Sequence, residues 1–206
     1  MEYLNAFIAF IAIGLSAIAI YISTKDNKKQ ITVGKIEEAY EITILLHSSY
    51  PTLRHLYELL DNYYNPLQNT DPVHRNSYYK LFNEHKVKCE ERNMYYSIYK
   101  QIFRLNVLAH SYLDKETKIQ VLAYTELYES LLSFIFTLNR MSQQANFKEG
   151  YPTVKNMSKF VDNLESNFIN IINLGSEYVS RREIRNYRMN EFKIKLGLKN
   201  IDEENI

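Results

Sequence analysis

The chain has 206 residues, and its 25 Lys and Arg residues nearly balance its 24 Asp and Glu residues. A formal net charge of +1 argues against a general binder of nucleic acid and against an acidic disordered tail. Only 5 Gly and 4 Pro occur, too few for the tight turns of a β-sandwich or barrel, so the composition predicts an all-α protein.

The first predicted element is a transmembrane helix over residues 3–22. These residues carry no charge, and at about 1.5 Å per residue they measure roughly 30 Å, the thickness of a bilayer's hydrocarbon core. Tyr3 and Tyr21 mark the two ends as interfacial aromatic residues. Because no Lys or Arg precedes the apolar run, the pattern favours a retained anchor over a cleaved signal peptide. We therefore predict a transmembrane anchor and juxtamembrane segment over residues 1–30.

The charges around this span predict its orientation. No basic residue precedes the span, and four follow it: Lys25, Lys28, Lys29 and Lys35. The positive-inside rule then predicts an outer N-terminus and a cytoplasmic body, with residues 3–22 in contact with membrane lipids.

Small or polar residues form a stripe along the span. They recur at spacings of 4, 3, 4 and 3, namely Asn5, Ala9, Ala12, Ser16 and Ala19. Such a stripe lets two membrane helices approach closely, which predicts helix packing and a homodimer. The alternative is that alanine is simply common in membrane helices.

Residues 31–200 are predicted to form one cytosolic all-α domain, because no linker rich in Gly, Ser or Pro divides them. The predicted fold is therefore one N-terminal transmembrane helix followed by a cytosolic bundle of about six helices. The first helix of the domain continues from the span and ends near Ser49, since Pro51 suits the first position of a new helix. A further helical run covers residues 73–112, and its length predicts a break between residues 88 and 93.

The C-terminal half carries three more predicted helices. Asp114 is the expected N-cap of a helix whose broad apolar face makes it the central core helix. The next helix begins at Val154 and ends at Gly175, and the last covers about residues 176–196 before an acidic tail at 201–206. No segment shows period-two alternation, so no sheet is expected.

Arg104 and His110 are the candidates for catalysis, with five residues between them on one predicted helix. This interval resembles the Arg-x(4–6)-His motif of all-α ribonucleases of the HEPN superfamily. In such chemistry a histidine moves a proton from a ribose hydroxyl and an arginine neutralises the phosphate. The residue after the arginine is usually polar in that family, whereas Leu105 stands here. The alternative is an ordinary surface arginine and a partly buried histidine.

No metal site or cofactor is expected. The histidines at 47, 55, 74 and 85 lack a Glu at the Glu-x-x-His spacing, and the sequence contains no HExxH. The Gly-rich motifs of nucleotide-binding proteins and the GxSxG motif of hydrolases are also missing. The single cysteine, Cys89, cannot form an intrachain disulfide, which suits a reducing compartment.

The predicted final helix concentrates positive charge. Seven basic residues against two glutamates give a local charge of +5 over residues 181–199. Arg181, Arg185 and Arg188 share one helical face, and a membrane anchor would hold that face near the inner leaflet. We therefore expect these arginines to contact anionic lipid headgroups. Instead of lipid, these arginines could contact an RNA backbone, although nucleic acid is not the expected partner. A second alternative is a solvated helix face whose arginines form ion pairs.

Two stretches resemble a family of phage abortive infection membrane proteins. In residues 48–64 the likeness is carried by Tyr50, Arg54, Leu56, Tyr57 and Asp61. In residues 120–134 it is carried by Gln120, Leu122, Glu126 and Leu127, whereas Ser133 stands where an asparagine is expected. The resemblance implies an N-terminal anchor in the bacterial inner membrane and a cytosolic helical domain, and it assigns no catalytic residue.

These patterns lead to one main interpretation and two alternatives. The main one is a single-pass inner-membrane protein whose cytosolic helical domain acts as an interaction or sensing module, with phage defence as the context that the resemblance implies. One alternative is a membrane-tethered ribonuclease that uses Arg104 and His110. The other is a scaffold that holds an unidentified protein partner at the inner leaflet.

Overall fold

A computed structural model describes residues 2–64, 72–138, 147–170 and 181–198, without the side chains of residues 1–12 and of Arg181. Within these ranges the chain forms six helices of at least seven residues and no strand, which confirms an all-α bundle. The helices are α1 (Glu2–Tyr64), α2 (Pro72–Glu91), α3 (Met94–Tyr112), α4 (Lys115–Thr137), α5 (Val154–Asn170) and α6 (Arg181–Tyr187). A π-helical turn (Arg188–Phe192) and a last α-turn (Lys193–Lys195) continue α6.

The long helix α1 has 63 residues and two different environments. Every residue from 13 to 31 is exposed. From Ile36 onward, buried residues recur every three or four positions, as in Ala39, Leu46, Tyr50, Leu53, Tyr57 and Leu60. This spacing places one face of the C-terminal half of α1 in the core, where it contacts α2, α3, α4 and α5.

The helix end predicted near Ser49 is wrong, because α1 continues through Pro51. Proline has no N–H to donate to the carbonyl of His47, and inside a helix it typically costs about 3 kcal/mol. The continuous helix keeps the apolar residues on both sides of the proline in one buried stripe. The turn before the proline also receives an extra donor, since the Tyr128 hydroxyl donates to the Leu46 carbonyl at 2.8 Å.

Two predictions about helix boundaries are confirmed. The break expected between residues 88 and 93 separates α2 from α3, and Asn93 there adopts a left-handed conformation with φ 53°. The Asp114 carboxylate caps α4 by accepting from the backbone N–H groups of Glu116 at 3.0 Å and Thr117 at 3.1 Å. Most of α4 is buried, so it is the central core helix that the apolar pattern predicts.

The last predicted helix is only partly regular. Its described part begins at Arg181, changes to π-helical geometry at Arg188 and ends before Gly197, whose φ is +66°. The helix predicted over about residues 176–196 is therefore confirmed for its described part up to Lys195, with a π-helical turn at Arg188–Phe192. Residues 171–180, including the predicted end at Gly175, and the acidic tail at 201–206 lie outside the described residues.

In the part of the chain with described side chains, no helix combines the length and the hydropathy that a membrane span needs. Half of the predicted span, residues 3–12, has side chains that lie outside this part. The same holds for Asn5, Ala9 and Ala12 of the predicted packing stripe. Membrane insertion thus stays a prediction.

Candidate functional site

The N-terminal part of α1 extends from the bundle as an arm, here residues 13–31. Large apolar side chains of its first ten residues are between 51% and 69% exposed: Ile13, Leu15, Ile18, Ile20, Tyr21 and Ile22. At about 100° per residue these positions cover about 220° of the helix circumference, and Ser16 and Ala19 lie in the remaining sector. Ser16 and Ala19 of the predicted stripe are exposed on the same arm. Residues 13–22 carry no charge, and an uncharged, mostly apolar helix is typical of one that another apolar phase surrounds.

Polar and charged residues follow the apolar part of the arm. Thr24 donates its hydroxyl to the Ile20 carbonyl at 2.7 Å, which satisfies this polar group within the helix. The exposed residues Lys25, Asp26, Lys28 and Lys29 come next. The arm thus changes from apolar to charged over about one helical turn, before the helix enters the bundle at Ile36.

Arg104 connects α3 to α1 through an ion pair. Its Nε lies 2.6 Å from Oε1 of Glu38, and Lys35 Nζ lies 2.7 Å from the other carboxylate oxygen. These two hydrogen bonds, the one from Arg104 above all, lower the pKa of Glu38 to about 2. The Arg104 guanidinium therefore already has a carboxylate partner.

His110 lies exposed in the last turn of α3. Six helical positions separate it from Arg104, which corresponds to a rotation of about 120° around the helix axis. The two side chains therefore leave α3 in different directions. The ribonuclease alternative stays a prediction.

A stripe of exposed aromatic residues runs along α3 and was not recognised in the sequence. Tyr96 and Phe103 are each 68% exposed, Tyr99 is 51% exposed and Val107 is 41% exposed. Their spacings of 3, 4 and 4 residues place them on one face. The opposite face of α3 is buried and carries Ile98, Ile102 and Leu105. We call the four exposed residues the aromatic stripe.

The basic residues of the C-terminal segment differ in their surroundings. Arg188 is an ion-pair partner of Glu126 on α4, and its side chain is only 13% exposed. Lys193 is buried and its Nζ lies 2.6 Å from the Glu149 carboxylate. Arg185 is exposed, and the side chain of Arg181 lies outside the described residues. The expected anionic lipid contact therefore stays a prediction, with Arg188 directed at protein.

The residues that carry the family resemblance have contacts inside the bundle. The Arg54 guanidinium lies 4.9 Å from the centre of the Tyr57 ring and 3.3 Å from Glu58. The buried Tyr50 hydroxyl donates to the Pro152 carbonyl at 2.7 Å. The Tyr50 hydrogen bond joins α1 to the segment that precedes α5, whereas the two Arg54 contacts lie within α1.

A cleft of about 520 Å³ lies between the start of α4 and the C-terminal segment. Its lining includes Glu116 and Ile119 from α4, and Glu183, Tyr187 and Glu191 from the other side. No sequence signal links these two groups, because about 70 residues separate them along the chain. In the described part, no group of three or more His, Cys, Asp or Glu is arranged to hold a metal ion.

Comparison with known proteins adds no relative. No protein-family model, no curated protein and no solved structure matches this chain. The resemblance to phage abortive infection membrane proteins therefore stays a prediction, and function has to be argued from the arm, the aromatic stripe and the cleft.

Proposed function

We propose that this protein is a membrane-anchored helical interaction module, which the N-terminal part of α1 holds at a bilayer and which pairs with a second copy of itself. The observation that carries the proposal is the arm, whose large apolar side chains are exposed and which carries no charge over residues 13–22. A bacterial inner membrane, a cytosolic bundle and a role in phage defence are the setting that the sequence resemblance suggests.

The energy of the exposed arm supports a membrane location. Burying an aliphatic side chain contributes about 1.5–3 kcal/mol, and five aliphatic residues of the arm are more than half exposed: Ile13, Leu15, Ile18, Ile20 and Ile22. Transfer of their exposed surface into lipid would contribute roughly 5–9 kcal/mol. This amount is comparable to the whole stability of a domain, about 5–15 kcal/mol. In the sequence, the uncharged run continues back to residue 3.

A pair of lysine substitutions tests the anchor. A lysine near the centre of a membrane helix costs about 2.5–3.5 kcal/mol, so Ile13→Lys combined with Ile18→Lys should release the protein from washed membranes. The matched control is Gln30→Lys, which lies on the arm beyond the apolar run and should stay bound. Equal retention of the two variants would refute the anchor.

Reporter fusions test the orientation. Because all lysines near the predicted span follow it, a cytosol-active reporter fused after Ile206 should be active and a periplasm-active one silent. The opposite pattern would refute a cytosolic bundle while leaving the anchor in place.

The aromatic stripe supports pairing with a second copy. A buried aromatic side chain contributes about 150–250 Å², so Tyr96, Tyr99 and Phe103 offer roughly 400 Å² per copy at their exposed fractions. Two facing stripes would bury roughly 800 Å² of surface in total. Val107 and the polar residues around the stripe would raise this buried area toward the ~1,200 Å² of a small specific interface. Anchoring both copies in one membrane raises their effective concentration, which lowers the affinity that the contact must supply.

A charge on the stripe tests this pairing. Phe103→Asp should abolish crosslinking between copies in membranes, because two carboxylates would have to be buried against each other. The matched control is Val87→Asp, at a half-exposed position on α2, which should leave crosslinking unchanged. If both variants crosslink like the unchanged protein, the aromatic stripe is not the interface. Any dimer would then form through the arm.

A further inference from the structure

We propose that the cleft between α4 and the C-terminal segment binds a linear organic dication of the alkyldiamine class. This inference goes beyond the anchoring and pairing proposed above and does not depend on them. The cleft volume of about 520 Å³ lies in the range of about 300–1,000 Å³ that is typical of small-molecule sites.

The charge of the cleft favours a ligand with two positive charges. Three carboxylates line it, on Glu116, Glu183 and Glu191, and one ammonium group, on Lys115. Lys115 Nζ lies 2.6 Å from Glu183, so these two charges compensate each other. Within the described ranges, no cation pairs with Glu116 or Glu191, which leaves a charge of about −2 in the cleft.

Tyr187 supplies the second, independent indication of a ligand. Its side chain is only 9% exposed, it lines the cleft, and its hydroxyl has no hydrogen-bond partner among the described residues. A buried polar group without a partner destabilises the folded state, because it has lost its hydrogen bond to water. An ammonium group in the cleft would donate to the Tyr187 oxygen and remove that destabilisation.

The electrostatics of Tyr187 agree with this position. Burial, followed by the charges of Glu191 and Glu116, raises the pKa of the Tyr187 hydroxyl above its usual range. Both carboxylates are therefore close enough to act on the hydroxyl.

The remaining lining fits an alkyl chain between two ammonium groups. Ile119 offers an apolar wall, while Asn186 and Asn190 offer amide oxygens that accept from ammonium N–H groups. A bare metal ion would leave the apolar wall and most of the volume without contacts. Glu116 lies in the first turn of α4 and Glu191 in the π-helical turn, so the two carboxylates approach the ligand from separate elements.

The π-helical turn helps to form the site. It begins directly after Tyr187 and carries Asn190 and Glu191. A π-turn changes the direction in which the following side chains leave the helix, and such turns are frequent at functional sites.

The experiment is an isothermal titration calorimetry measurement in which putrescine is added to the full-length protein in detergent micelles. We expect one putrescine per chain, weaker binding at higher salt, weaker binding of the monoamine butylamine and no binding of the neutral 1,4-butanediol. Glu191→Gln and Glu116→Gln should each weaken putrescine binding by about 10-fold or more, since hydrogen bonds to charged groups contribute about 1.5–3 kcal/mol. The control variant Glu84→Gln, at an exposed position on α2, should bind like the unchanged protein.

The Tyr187→Phe variant separates ligand binding from a structural role. It removes only the hydroxyl without a partner, so the unfolding temperature should stay equal or rise while putrescine binding weakens. No heat of binding with the unchanged protein, equal binding by all variants, or tighter binding of Mg²⁺ than of putrescine would each overturn the proposal. None of these results changes membrane retention or crosslinking, so the anchor and the pairing are tested separately.

Discussion

Four buried tyrosines make the stability of this bundle sensitive to high pH. They are connected in the core around α4: Tyr124 donates to the Thr43 carbonyl at 3.2 Å, and its ring lies 5.0 Å from that of Tyr128. Tyr50 packs edge-on against Tyr128, and the Tyr151 hydroxyl lies 2.8 Å from Ser130 Oγ. Burial is the first cause that raises the pKa of each of these hydroxyls above 10.

The sign and size of the effect follow from proton linkage. The unfolded chain loses each of these protons near pH 10, whereas the folded chain keeps them. The stability that they contribute is therefore complete below pH 10 and is lost as the pH rises toward the folded pKa values. Each group costs about 1.4 kcal/mol per pH unit above 10, so four cost about 6 kcal/mol by pH 11. A domain stability of about 5–15 kcal/mol then predicts unfolding between about pH 11 and 13.

The assay follows tyrosinate absorbance and helical circular dichroism of the full-length protein in detergent as the pH rises. We expect the exposed tyrosines to ionise near pH 10 and the last part of the absorbance change to coincide with loss of helix. Tyr128→Phe should reduce the loss of stability by about 1.4 kcal/mol per pH unit, whereas Tyr96→Phe, on the exposed stripe, should not. Ionisation of all 18 tyrosines near pH 10 with the helix intact would refute the buried cluster.

Three further predictions concern single contacts. Asp114→Ala should destabilise the protein by about 1 kcal/mol in thermal unfolding because α4 loses its N-cap, whereas Asp114→Ser should retain most of the stability. Pro51→Ala should stabilise α1 by about 1–3 kcal/mol by restoring an N–H donor to the His47 carbonyl, and a lower unfolding temperature would contradict that account. The pKa of Glu38, which Arg104 lowers from about 4.5 to about 2, predicts stability that is present above about pH 4.5 and is lost as the pH falls toward 2. Glu38→Gln should remove this acid dependence from the unfolding temperature.

The sequence alone determined the features that depend on neighbouring residues. The all-α fold was predictable from the scarcity of Gly and Pro. The Asp114 cap and the break before α3 were predictable as well, because helix formation and capping are decided within a few residues. The uncharged run over 3–22 also predicts a membrane span by itself, since bilayer thickness sets the length of such a run.

Other features were decided only by tertiary packing. Pro51 is a sound signal for a helix start, yet α1 continues because the core buries residues on both sides of it. The aromatic stripe was present in the sequence as a second periodic face, but only the packing of α3 determined which face is covered.

Distant partners could not be read from the chain at all. Arg188 meets Glu126 across 62 positions, and Arg104 meets Glu38 across 66, so each of these two residues has a carboxylate partner that no local pattern predicts. The cleft depends in the same way on α6 packing against α4, which brings Glu116 to Tyr187. Such contacts follow from how helices pack, and helix packing depends on the shape of whole faces rather than on any local pattern.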